Sequence, residues 1–236
     1  MGRTHMNDRI IDLNPGGYGS SLSADRQRVL RNTYALLALS LIPTVLGAWI
    51  GVATGFMAAM GTGMSMLVFF VGAFGLMFLV EKTKHSAAGV ASLLGFTFFM
   101  GLMLSRLLSF ILGFTNGPQL IMMAFGGTGV IFAAMATIAT VSKRDFSGLG
   151  KFLFMGVIVI LLAAFANIFL QLPALMMTIS VLAIVIFSAY MLFDVQRVVN
   201  GGETNYISAT LAIYLDLYNV FTNLLALLGI FGGNRN

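Results

Sequence analysis

The stretch IYLDLYNVFTNLLALLGIFGG, residues 213–233, decides how the rest of the chain is read. It is apolar enough to leave water, yet it carries one full charge, Asp216. At 1.5 Å per residue a helical run of this length spans about 30 Å, the thickness of a bilayer's hydrocarbon core. Asp216 then lies about 15 Å deep, where an ionised carboxylate costs roughly 2.5–3.5 kcal/mol on insertion scales. A charge at such depth is expected to face the interior of a helix bundle, with a partner there. Asn219 and Asn223 follow at helical spacing and share its face. Tyr214 and Tyr218 bound this polar stripe. The same stripe also fits a plain interhelical hydrogen-bond seam that only holds a bundle together.

The rest of the chain supports a membrane reading. Of 236 residues, 58% are hydrophobic and 9% charged, against about 25% charged in a soluble domain. Polar surface is too scarce to cover a water-facing globule, so the expected solvent is a lipid bilayer. Apolar runs occupy 33–54, 62–80, 88–112, 119–141, 152–171, 174–195 and 207–230, separated by punctuation such as EKTKHS at 81–86, SKRDFSG at 142–148 and NGGETN at 200–205. None alternates as a barrel strand would. The fold class is therefore all-α, a polytopic membrane protein with seven transmembrane helices. The 27 glycines read as close helix packing, since none follows a strand as a phosphate loop would. Residues 1–6 read as a cloning scar, with the native chain starting at Met6. Residues 7–31 read as a flexible tail, 32–231 as the transmembrane domain and 232–236 as a short C-terminal tail.

Charge placement gives orientation. Arg26, Arg28 and Arg31 precede the first span, Lys82 and Lys84 stand in the second loop, Lys143, Arg144 and Lys151 in the fourth, and Arg197 by the sixth span. The first, third and fifth loops contain no Lys or Arg. This alternation predicts a cytoplasmic N-terminus. With seven full spans the C-terminus falls outside; a re-entrant last run would return it inside.

Asp194 is the second intramembrane carboxylate, about one turn from the cytoplasmic end of the sixth span. The sixth and seventh helices are antiparallel neighbours across a short loop, and the two aspartates differ in depth by about 9 Å at most. Two carboxylates meeting in a low-dielectric bundle would share a proton and titrate as a unit. They would also offer hard oxygen ligands to Ca²⁺. Alternatively, Asp194 is an interface residue paired with Arg197, three positions on.

FDVQRVVNGGETNYISATLAIYLDLYNVFTNLLALLGI, residues 193–230, resembles the signature end of the Bax inhibitor-1 family, the transmembrane Bax inhibitor motif proteins. ANIFLQLPAL at 166–175 and GGETNYI at 201–207 resemble its bacterial YccA-like branch, known as modulators of the FtsH protease. The similarity runs over about residues 26–231. It implies six helices surrounding the last, a bacterial inner-membrane location and an FtsH-type membrane protease as partner. In calcium-leak members, aspartates matching Asp194 and Asp216 form a pH-sensing pair, so the alternative function is a pH-sensitive Ca²⁺ leak with Ca²⁺ as permeant ion. Leak members also carry an arginine at the end of the second helix that latches an aspartate. Here VEKTKH, residues 80–85, stands in its place, leaving Lys82, Lys84 or Arg197 as the possible latch. Arg106 occupies a position where many members have proline.

No enzyme is expected. His85 is the only histidine outside residues 1–6, there are no cysteines, and Val195 and Leu217 follow the two aspartates where intramembrane aspartyl proteases have glycine. No cofactor and no nucleic-acid partner are expected.

Overall fold

The computed structural model describes residues 15–234, and they are helical throughout apart from short connections. The elements are α1 (Pro15–Thr54), α2 (Phe56–Ala59), α3 (Thr62–Thr83), α4 (Ala87–Leu112), α5 (Gly117–Val141), α6 (Leu149–Leu170), α7 (Pro173–Val199) and α8 (Tyr206–Gly232). All but α2 are long and apolar enough to cross a membrane, which makes seven spans among the described residues. Large apolar side chains such as Phe74, Phe78, Phe152 and Phe169 are exposed on the bundle's outer surface, the arrangement expected when lipid rather than water surrounds the helices.

The spans agree with those read from hydrophobicity to within a few residues at most ends. The first differs most. Helix α1 begins at Pro15, so residues 15–31, expected to belong to a tail, are helical. Proline's fixed φ suits a first helical position, and nothing in SADRQRVLRN breaks the helix before the apolar run starts. Residues 1–14 lie outside the described residues. At the other end, Gly232 still belongs to α8 and Asn234 is hydrogen-bonded, so the expected tail from 232 is tied down as far as 234.

Helix α8 is central: α1, α3, α4, α5 and α7 all pack on it, while α6 packs on α7, one layer out. The pair α1 and α4 makes the most extensive interface in the bundle. Its cause is small residues on both sides. Gly47 lies against the backbone carbonyl of Phe98, Gly101 against that of Thr44, and Gly51 against Ser105. A methyl group at Gly47 or Gly101 would strike backbone, which cannot move aside as a side chain can. In lipid such close approach supplies the van der Waals contact that water would otherwise enforce.

Two apolar clusters divide the interior. One, toward the basic loops, gathers Leu36, Leu93, Phe96, Ile207, Leu211 and Tyr214 among others. The second lies toward the opposite face and comprises Ile111, Phe114, Leu120, Ala124 and Leu225, with Phe221, Leu224 and Leu228 against it. The polar stripe of α8 runs between them.

The ends of α8 also settle its path. At its start, Asn205 caps the helix, accepting from the N–H groups of Ile207 and Ser208 at 2.9 and 3.1 Å, and donates to the carbonyl of Lys84 at the end of α3. At its finish, Gly232 and Asn234 bond to the α4–α5 turn. The two ends therefore meet loops on opposite faces of the bundle, and α8 is a full span rather than a re-entrant one.

Candidate functional site: a carboxyl pair beneath a charged cleft

Asp216 is 4% exposed, and its Oδ2 has no hydrogen-bond partner among the described residues. The side chain opposite is Asp194, on α7, and the two carboxyls are close enough to act on each other electrostatically. Neither carboxylate can donate, so the contact becomes a bond only when one of them holds a proton.

Helix geometry explains how residues of different depth meet. Helix α7 runs on to Val199, four residues past the end expected from hydrophobicity, so Asp194 lies well inside it. A Cα–Cβ bond tilts toward its own helix's N-terminus. In antiparallel α7 and α8, Asp194 therefore leans inward from the basic-loop face and Asp216 leans toward that face. The tilts converge and close the gap in depth.

Asp194 lines a cleft of about 320 Å³ at the basic-loop face, and Asp216 lies buried behind it, outside the cleft's lining. Glu81 from α3 and Lys84 just past its end, Asp194 and Arg197 from α7, Glu203 from the connecting loop, and Ser208 and Ala212 from α8 line it. Its charges are paired. Lys84 Nζ meets Glu81 Oε2 at 2.7 Å, and Arg197 meets Glu203 at 3.2 Å. The hydrogen bond from Lys84 to Glu81 holds the ammonium above the usual lysine range. Both acids also hold the start of α8: Glu81 accepts from Ser208 Oγ at 2.9 Å, and Glu203 accepts from the N–H of Asn205 at 2.9 Å. Two carboxylates beside a helix N-terminus complement its positive dipole end.

The expected latch takes a different form. Lys84 bonds Glu81 rather than an aspartate, because Glu81 stands one turn before it on the same helix. Lys82 is exposed and makes no ion pair among the described residues. Arg197 bonds Glu203 while remaining in electrostatic range of Asp194.

The polar stripe separates into two uses. The Tyr214 hydroxyl lies 2.9 Å from Thr44 Oγ1 on α1, and Tyr218 donates to the carbonyl of Met100 on α4 at 3.3 Å. These tyrosines tie α8 to its neighbours. Asn219 and Asn223 donate to carbonyls one turn back in their own helix, Leu215 and Asn219. Only Asp216 reaches the second carboxyl. Sequence reasoning missed Tyr190, which lies in electrostatic range of both aspartates, and also Glu81, Glu203 and Asn205. Asn205 had a legible signal, a capping residue just before an apolar run; the others become site residues only when the helices pack.

No group of three or more His, Asp or Glu among the described residues is arranged to hold a metal ion. A Ca²⁺ ion takes six to eight oxygens, and at the pair it would find two carboxyl groups.

Fold and site together define a class: a seven-span membrane protein whose central helix carries a buried carboxyl, facing a second one at the floor of a charged cleft. The sequence profile described as "Inhibitor of apoptosis-promoting Bax1" matches residues 26–233, and the chain belongs to that family. It is 41% identical over 222 residues to the modulator of FtsH protease YccA of Escherichia coli K12, covering 94% of this chain and 97% of that protein. Another similar relative is an uncharacterized membrane protein of Vibrio cholerae serotype O1, 39% identical over 214 residues, with 89% of this chain and 92% of that protein covered.

Proposed function

We propose that this chain is an inner-membrane modulator of an FtsH-type membrane protease, acting as a bound, slowly extracted occupant rather than as a catalyst. The observation that carries this is its 41% identity, across 94% of its length, to a protein named for that role. The packing supplies a physical reason. A processive protease that grips the N-terminal region must first pull α1 from the membrane. Helix α1 is the element set most tightly against its neighbour, through Gly47 on Phe98, Gly51 on Ser105 and Thr44 on Gly101. It is further tied to α8 by the Thr44–Tyr214 contact and by Thr210 bonding the carbonyl of Thr33. Residues 7–25, of which 15–25 open helix α1, are polar and rich in Gly and Ser, and the charge alternation argues for the cytoplasmic side. On this reading the protease grips the N-terminal region, the pull on α1 is resisted, and the protease stays occupied and turns over other membrane substrates more slowly.

Deleting residues 7–25 tests this by pulse-chase with and without the protease, paired with co-purification. The truncated chain is expected to become long-lived while still binding. Equal half-lives for full-length and truncated chain in protease-positive cells refute the reading.

A pH-sensitive Ca²⁺ leak is the second reading, favoured by the carboxyl pair at the end of the cleft. Charge placement weighs against it. Among the described residues, every Asp and Glu except Asp216 lies toward the basic-loop face, while Arg106 is the one Lys or Arg in the other half. A cation approaching from that half meets no acidic mouth. Liposomes containing only this chain decide the point: no Ca²⁺ flux above empty controls between about pH 5 and 8, the range over which a functional titration is read, ends the leak reading.

A further inference from the structure

The face of the bundle opposite the cleft holds a feature that the protease reading does not use. Four hydrogen bonds join the α4–α5 turn to the end of α8. The N–H and Oγ1 of Thr115 both donate to the carbonyl of Asn234, at 3.1 and 3.0 Å. Asn116 Nδ2 donates to the carbonyl of Gly232 at 2.6 Å, and the N–H of Asn234 returns to Asn116 Oδ1 at 3.1 Å. These partners are more than a hundred residues apart in the chain, so this is a tertiary contact and not a local turn. It satisfies carbonyls that a helix end leaves open.

Beneath it lies the second apolar cluster. Ile111, Phe114, Leu120 and Leu225 are each no more than 8% exposed. Glycine makes the fit. Gly229 lies against Ile111, and a Cβ at Gly233 would stand 2.8 Å from the ring of Phe114. The polar stripe of α8 runs from Asp216 through Asn219 and Asn223 toward this cluster and stops at Leu225. The cleft comes from the other side and reaches Asp194, with Asp216 buried behind it.

We propose that the α4–α5 turn and the end of α8 form a lock over an apolar plug, which closes the polar stripe on this face and leaves the carboxyl pair accessible from the cleft side alone. The inference stands apart from the protease reading and would survive its failure.

The chain has no cysteine, so single cysteines report access directly. Ala212→Cys lies in the cleft wall and Leu225→Cys in the plug. A membrane-impermeant maleimide is added to one side or the other of sealed membrane vesicles carrying the full chain. Ala212→Cys is expected to react from the cleft side only. Leu225→Cys is expected to be inert from the opposite side while the lock is intact. Adding Thr115→Val and Asn116→Ala should raise its rate from that side at least about tenfold, the scale set by losing one or two net hydrogen bonds. Ending the chain at Gly233 removes the Asn234 half of the lock without altering α4 or α5, and should give the same rise. Unchanged Ala212→Cys labelling shows that the bundle is still folded in each case. The proposal is overturned if Leu225→Cys already reacts from the opposite side with the lock intact, or if neither change in the lock raises its rate.

Discussion

The two ends of α8 solve the same problem in opposite ways. Each must satisfy the open backbone groups of a helix terminus and exclude or admit water. At the basic-loop end, Asn205 caps the helix and five charged side chains stand around an open cleft. At the other end, two neutral side chains, Thr115 and Asn116, bond the last carbonyls above a closed apolar plug. The difference teaches where access to the buried carboxyls lies. Charge and empty volume coincide at the basic-loop end, and there they reach Asp194.

The comparison breaks most visibly in the plug. Leu225→Ala removes a fully buried side chain and is expected to cost about 2–5 kcal/mol, measured by unfolding in mixed micelles. Leu215→Ala, in the partly exposed cleft wall, should cost less than half as much. Equal losses would mean that the ends are packed alike.

The carboxyl pair gives the next largest effect. A proton shared between Asp194 and Asp216 would make Asp194→Asn and Asp216→Asn strongly non-additive, with a coupling of about 0.5–3 kcal/mol in a double-mutant cycle. A coupling near zero at every pH would show that the two act separately. In the leak assay, each single change should alter the pH dependence of any flux.

The two caps come third. Asn205→Ala loses a helix cap together with the bond to the Lys84 carbonyl and should destabilise by about 1 kcal/mol. Asn116→Ala should cost a similar amount, but it should expose the opposite face of the bundle. Hydrogen exchange in residues 206–210 against 229–232 separates them: each substitution should speed exchange at its own end of α8 only.

The smallest effect is local. Asp145, in the connection between α5 and α6, accepts from the N–H of Ser147 at 2.8 Å, which holds its carboxyl below the usual aspartate range. A lowered folded value favours the ordered loop above the unfolded value of about pH 4, and that contribution is lost as pH falls through the lowered one. The protection factor at Ser147, taken relative to the intrinsic exchange rate at each pH, should fall on acidification in the wild type and be flat in Asp145→Asn.

The sequence by itself determined the solvent, the number of spans and the residues that had to be buried at a cost. Those follow from composition and run length, because a bilayer demands about twenty apolar residues for each crossing. Asp216 and Asp194 were legible for the same reason: a carboxylate inside such a run needs an explanation that chain order alone makes visible. The helical start of α1 at Pro15 was not legible, since SADRQR has no apolar period by which to recognise a helix projecting past the membrane. Nor was the pairing of Lys84 with Glu81, or the service of Tyr214 and Tyr218 to α1 and α4 rather than to the carboxyls. Only the tertiary structure decided those. Which hydroxyl or ammonium finds which oxygen depends on helix rotation and crossing, and these are set by glycine contacts between residues as far apart in the chain as Gly47 and Phe98. The convergence of the two carboxyls is of the same kind: antiparallel packing turns each helix's own side-chain tilt toward the other, and no property of either helix alone contains that result.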